Sequence, residues 1–84
     1  MMARYFLHQR GGEREFSDEE GQDLADLDAA RATAVAGIRS ILSDEVLRGA
    51  LPLGERVDIE DAAGHQLASV RFIEAVELRT EVRG

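Results

Sequence analysis

Hydrophobic residues recur at helical spacing over one long segment of the chain and alternate with polar residues in shorter segments on either side. Within residues 26–49 the apolar positions return every three or four residues, which places them on one face of a helix. These positions are Ala30, Ala34, Ile38, Ile41, Leu42 and Val46. The pattern therefore predicts one amphipathic helix between two groups of strands.

The ends of this helix are also marked in the sequence. Asp26 and Asp28 can each supply an N-cap oxygen, and a carboxylate there also favours the positive end of the helix dipole. Gly49 suits a left-handed C-cap, and Pro52 follows shortly after it. Gly37 in the middle costs about 1 kcal/mol relative to alanine. Because the apolar stripe contains small residues, we expect the first half of the helix to pack closely onto a sheet.

The segments before the helix predict a β-hairpin. Residues 3–9 form an aromatic and apolar run typical of a strand, Gly11 and Gly12 indicate a turn, and residues 13–16 alternate as a second short strand. Residues 22–24 either pair briefly with the sheet or only approach the start of the helix.

The segments after the helix predict a second hairpin and a further strand. Residues 56–60 and 65–72 alternate as partner strands, and Gly64 in the turn between them suits a positive φ angle. Residues 76–82 also alternate with a period of two, which favours a fifth strand, although a helical interpretation of this tail remains open. The predicted fold class is α+β: an antiparallel sheet of four or five strands with the helix on one face.

Length and composition narrow the classes of protein. We expect residues 1–84 to form a single domain. The 17 acidic and 10 basic residues give a formal charge of -7, which argues against nucleic acid as a partner. Without cysteine the chain has no disulfide and no thiolate chemistry. With no signal-peptide core and no apolar run of membrane-spanning length, we expect a cytoplasmic protein that does not bind membranes.

The sequence offers few residues for catalysis or metal binding. His8 and His65 alone do not make a metal site, and His8 in a strand is typical of a structural histidine. The serines lack the flanking glycines of a nucleophile elbow. The acidic run at residues 18–23 lacks the alternating oxygen ligands of a calcium loop, so we interpret it as a solvated turn. We predict no catalytic residue, no cofactor site and no metal site.

Short motifs give the chain a resemblance to a known family. Residues 4–8 (Arg-Tyr-Phe-Leu-His), 18–21 (Asp-Glu-Glu-Gly) and 24–27 (Leu-Ala-Asp-Leu), which lead into the alanine-rich helix, resemble a family of small uncharacterised bacterial proteins. That family is classified as a domain of unknown function. The hairpin segment 61–72 follows its pattern too, so the resemblance covers about residues 3–77. It implies the fold and a bacterial origin, and it transfers no active site.

We interpret a small domain of this kind as a non-catalytic protein-interaction or regulatory module, and such a module can be a homodimer. One helix covers only one face of the sheet, so we expect contacts through the uncovered face or through a sheet edge. Strand alternation places one group of apolar residues on the sheet face that does not carry Phe6 and Val70, although the face of the first strand could be reversed. The candidates for the uncovered face are Tyr5, Leu7 and Leu67, and those for the C-terminal strand are Val76, Leu78 and Val82.

Two alternatives remain open. A strand-rich start followed by an alanine-rich helix resembles antitoxins of the HicB type, and the negative charge would suit an antitoxin-like or inhibitor-like partner of a basic protein. A small-molecule binder is the weaker alternative.

Overall fold

The computed structural model describes residues 2–81 and has α+β architecture. Its elements are β1 (Ala3–Arg10), β2 (Gln22–Leu24), α1 (Leu27–Leu47), β3 (Arg56–Glu60), β4 (Gln66–Arg71) and a short 3-10 helix (Phe72–Ala75). The strands form one sheet in the order β2-β1-β3-β4, and every neighbouring pair is antiparallel. The helix packs on one face of this sheet, so the predicted fold class is confirmed.

Both predicted ends of the helix are confirmed. The Asp26 side chain accepts a hydrogen bond of 2.8 Å from the backbone N–H of Ala29, which satisfies one of the free donors of the first turn. At the other end Gly49 adopts a φ of 86°, and its N–H donates to the carbonyl of Val46 at 2.9 Å. A glycine there avoids the steric cost that a side chain would impose in the left-handed region.

The predicted second hairpin is confirmed as β3 and β4. Its turn is fixed by Asp61, whose Oδ1 accepts backbone hydrogen bonds of 2.9 Å from Ala63 and from His65. Gly64 supplies the positive φ of 84° that closes the turn. The same two hydrogen bonds, together with the contact to the His65 side chain, outweigh desolvation and lower the pKa of Asp61.

The core lies between the helix and one face of the sheet. Phe72, Ile38 and Ile59 are its largest fully buried side chains. Each of them contributes about 1.5–3 kcal/mol by leaving water. The remaining buried hydrophobic residues are Tyr5, Ala30, Ala34, Leu42, Val57, Ala68, Val70 and Ala75. Among residues 2–81, no helix lies on the opposite face of the sheet.

The predicted face of β1 is wrong. Tyr5 is only 8% exposed and belongs to the core, and Leu7 packs against that core instead of lying on the uncovered face. Alternation determines which residues of a strand share a face, but the pairing with β3 decides which face that is. Because paired residues of antiparallel strands share a face, the partnership of Leu7 with buried Ile59 places Leu7 on the helix side.

The first hairpin is shorter than predicted. The expected strand at residues 13–16 is reduced to one bridge, in which Gln9 and Phe16 exchange backbone hydrogen bonds of 2.8 and 3.0 Å. The edge partner of β1 is instead β2, with Tyr5 opposite Gln22. Residues 22–24 therefore do pair with the sheet, which was one of the two expectations for them.

The predicted C-terminal strand is wrong for the residues that the structure describes. Residues 76–81 form no strand, and Val82 lies outside the described residues. After β4 the 3-10 helix turns the chain from the sheet onto the helix, where Nε of Arg39 donates a 2.7 Å hydrogen bond to the carbonyl of Ala75. This contact directs the following residues along the helix, away from the exposed edge of β4.

Candidate functional site

His8 and Asp18 join β1 to the loop that follows it. The backbone N–H of Asp18 donates to Nδ1 of His8 at 3.0 Å, and the backbone N–H of Leu7 donates to Oδ2 of Asp18 at 3.2 Å. Nε2 of His8 lies 3.3 Å from Oε1 of Glu60. Since Nδ1 accepts a hydrogen bond, the neutral ring carries its proton on Nε2. We call these two hydrogen bonds, one from Asp18 to His8 and one from Leu7 to Asp18, the His8–Asp18 clamp.

The clamp gives the acidic turn a structural role. Burial alone would raise the pKa of Asp18, but hydrogen bonds from the backbone N–H groups of Gly21, Leu7 and Glu20, together with the nearby His8, lower the pKa below its ordinary value of 3.8. Gly21 has a φ of 73°, and a Cβ there would lie 2.9 Å from Cγ of Arg4. The Asp18 carboxylate therefore holds the shape of the turn by accepting backbone hydrogen bonds. Residues 2–81 contain no group of three or more side chains arranged to hold a metal ion.

The uncovered face of the sheet is polar and internally paired. Asp58 is buried, and its Oδ1 accepts hydrogen bonds from Oγ of Ser69 at 2.9 Å and from Nε of Arg56 at 3.1 Å. Phe6 stacks on His8, with ring centroids 6.5 Å apart. Leu67 is exposed on this face, but Tyr5 and Leu7 are on the other, so these three predicted residues do not form a common surface.

An apolar surface lies instead at the C-terminal end of the helix. Leu42 is the last buried helix residue, and the turn beyond it leaves its apolar side chains uncovered. Leu47 is 85% exposed, and the exposed fractions of Val46, Leu51 and Leu78 are 54%, 49% and 51%. Together with partly buried Val76 they line a groove of about 410 Å³. We define the helix-end patch as Val46, Leu47, Leu51, Val76 and Leu78.

The helix-end patch combines predicted residues with residues that the pattern did not single out. Val76 and Leu78 were predicted to contact a partner as part of a strand, and they lie in the patch as an irregular segment. Val46 was predicted to face the core, and it is mostly exposed because burial stops one turn earlier. The sequence does carry a signal for this exposed patch at residues 46–53, because this segment holds more apolar residues than one helix face and a turn can bury.

Comparison of the sequence with models of known protein families assigns the chain to one of them. A family model for a domain of unknown function, DUF6894, matches residues 4–73. The chain belongs to the DUF6894 family. This confirms the resemblance seen in the motifs, and the match runs from β1 into the 3-10 helix. No curated protein and no solved structure matches the chain.

The two features of this DUF6894 domain differ in how much of each lies within the region that matches the family. The His8–Asp18 clamp lies wholly within residues 4–73, whereas the helix-end patch takes Val76 and Leu78 from beyond them. No helix within residues 2–81 has the length and apolar character needed to cross a membrane.

Proposed function

We propose that this DUF6894 domain is a non-catalytic protein-interaction module that forms a homodimer through the helix-end patch. The observation that carries the proposal is the contiguous apolar groove around Leu47, a residue that is 85% exposed in the single chain. Exposed leucines that adjoin one another are characteristic of protein contact surfaces, whereas scattered ones need no explanation.

The exposed area of the chain supports a protein partner. The chain exposes 6059 Å², and its mass is 9.2 kDa. A folded monomer of that mass exposes about 4,900 Å² on average. The difference, on the order of 1,000 Å², is spread over the whole surface, including the exposed residues 77–81, and the apolar groove around Leu47 is one part of it.

The local charge of the patch favours a second copy as that partner. Arg39 is the charged residue that lines the groove, and its Nε already donates to the carbonyl of Ala75. Glu45 and Glu77, which adjoin patch residues in the chain, are each paired with an arginine at 3.1 Å. Most of the formal charge of -7 therefore lies away from the patch, and salt at physiological strength screens charges separated by more than about 8 Å. In a two-fold dimer each copy contributes the same surface, so Leu47 of each chain can enter the groove of the other.

Sedimentation velocity on the full chain tests the proposal, and a matched pair of substitutions locates the interface. We expect a dimer for the wild type and a monomer for Leu47→Glu. Leu67→Glu, which introduces the same charge on the uncovered sheet face, should leave the dimer intact. Burial of one leucine contributes about 1.5–3 kcal/mol and each dimer buries two, so Leu47→Glu should raise Kd by a factor on the order of 100 or more.

Two results would contradict the proposal. One is a wild-type protein that sediments as a monomer at every concentration up to the millimolar range. The other is a dimer that dissociates on Leu67→Glu and persists on Leu47→Glu, which would assign the contact to the sheet face. Circular dichroism of both variants should match the wild type, because both side chains are exposed in the single chain.

A further inference from the structure

A second apolar opening lies on the other flank of the helix's buried stripe. It separates the helix from the loop at residues 16–18, has the sheet at its base, and encloses about 280 Å³. Its apolar lining is supplied by Leu7, Phe16, Ala34, Ile38, Ile41 and Val57. Because Gly37 forms part of the helical wall, we call this opening the Gly37 cleft. The cleft and the helix-end patch share no residue.

Gly37 is not required by packing within the chain. A Cβ built at this position would meet no atom within 4 Å, and the backbone there is ordinary helix. Glycine in a helix interior is disfavoured relative to alanine, so the position lowers stability without permitting a close approach of another element. Because Gly37 has no side chain, the helix projects less into the cleft, and the cleft stays open at this position.

Several of the polar side chains that line the cleft are already hydrogen-bonded inside the domain. Both carboxylate oxygens of Asp18 accept backbone hydrogen bonds. Oγ1 of Thr33 donates to the carbonyl of Ala29 at 2.9 Å, and Oγ of Ser17 accepts from Nη2 of Arg10 at 3.0 Å. The cleft therefore presents mainly apolar surface, and an apolar group suits it better than a polar metabolite.

Carboxylates flank the cleft at both ends. Beyond Phe16 and Ile41 it adjoins a second depression, whose charged residues are Glu13, Arg14, Glu45, Arg48 and Glu55. At the other end, the turn that leads to Gln22 exposes Glu19 and Glu20. Two further arginines lie on this path, since Arg10 donates to the carbonyl of Phe16 and to Ser17, and Arg4 donates to the carbonyl of Glu20. Acidic residues still outnumber basic ones there, as they do in the whole chain with its formal charge of -7. A positively charged partner segment would be attracted to such a rim.

We propose that the Gly37 cleft binds a bulky apolar side chain from a lysine- or arginine-rich segment of a partner protein. The apolar side chain would lie on Leu7, Val57 and the helix beside Gly37, and flanking cations would lie near the carboxylates at either end. This binding is separate from the proposed homodimer because it uses different residues.

Selection from a random peptide library displayed on phage tests this inference on the full-length protein. The wild type alone is the target of the selection, and the Gly37→Leu variant, whose new side chain occupies the cleft, is used only in the affinity measurements that follow. Ala36→Leu is the matched control, since it adds the same side chain at the neighbouring, exposed helix position outside the cleft. Selected peptides are then synthesised and their affinities are measured by fluorescence anisotropy.

We expect the selected peptides to share one or two bulky apolar residues next to lysine or arginine. Their affinity should fall about tenfold or more in Gly37→Leu, which denies burial to one apolar side chain, and should not change in Ala36→Leu. Replacing the peptide cations by glutamate should also weaken binding. The monomeric Leu47→Glu variant should bind the peptides as the wild type does.

Three outcomes would overturn the inference. Peptides that bind Gly37→Leu as tightly as the wild type would place their site elsewhere. Neutral or acidic consensus peptides would contradict the charge argument. A selection in which no peptide distinguishes the wild type from Gly37→Leu would show that the cleft is not a peptide site. None of these outcomes depends on whether the protein is a dimer.

Discussion

Replacing Gly37 by alanine should stabilise the DUF6894 domain. The gain in helix propensity is about 0.8–1.0 kcal/mol in the free energy of unfolding. No steric penalty opposes it, because the added Cβ would meet no atom within 4 Å. For a domain of this size the gain corresponds to a rise in Tm of about 4–8 °C. Urea denaturation monitored by circular dichroism should show a higher midpoint with an unchanged slope.

The neighbouring residue provides the control for this prediction. Ala36 is an exposed helix residue, so Ala36→Gly should lower the free energy of unfolding by a similar amount. The double variant Ala36→Gly/Gly37→Ala should therefore return close to the stability of the wild type. If Gly37→Ala is destabilising while Ala36→Gly behaves as expected, the helix approaches the sheet or the loop more closely than the structure shows, and the open wall of the Gly37 cleft does not exist.

Three further perturbations test other parts of the fold. Phe72→Ala should lower the free energy of unfolding by about 3–5 kcal/mol in urea denaturation, because Phe72 is fully buried and its removal leaves a cavity. Gly21→Ala should cost more stability than Gly64→Ala in the same assay: both residues have positive φ, but only at Gly21 would a Cβ come within 2.9 Å of a neighbouring atom. The pKa of Asp18 is lower in the folded than in the unfolded protein, so its carboxylate stabilises the fold above the ordinary value of 3.8, and this contribution is lost as the pH falls through the folded value. Asp18→Asn should flatten that part of the acid profile in a series of denaturation curves, and an unchanged profile would mean that the turn is not held by the carboxylate.

The parts of the fold that the sequence predicts well depend on local contacts. Asp26 marks the start of the helix through a side-chain hydrogen bond to the backbone of the first turn. Gly49 and Gly64 mark the end of the helix and the second hairpin through their own positive φ angles. Each of these signals acts within a few residues along the chain. Pattern and turn chemistry are therefore enough to predict one helix followed by one hairpin.

The parts that were predicted wrongly depend on contacts between distant residues. The side of the sheet on which Tyr5 lies is decided by the register between β1 and β3, and period-two alternation is the same for either choice. The path of residues 76–81 follows from the hydrogen bond between Arg39 and the carbonyl of Ala75, which the alternating pattern does not encode. The number of apolar residues at 46–53 indicates that some of them stay exposed, but which ones they are depends on where along the helix burial stops, at Leu42.

The position of β1 in the sheet has a consequence for folding during synthesis. β1 leaves the ribosome before the other strands of the sheet, yet it lies inside the sheet, and its long partner β3 lies far along the chain, with Leu7 opposite Ile59. The helix and the β3–β4 hairpin can form from nearby residues, whereas docking of β1 must close a long loop. The aromatic strand can therefore pair with the nearby β2 early, but it pairs with β3 late, and the acidic residues that follow it keep this segment charged until then.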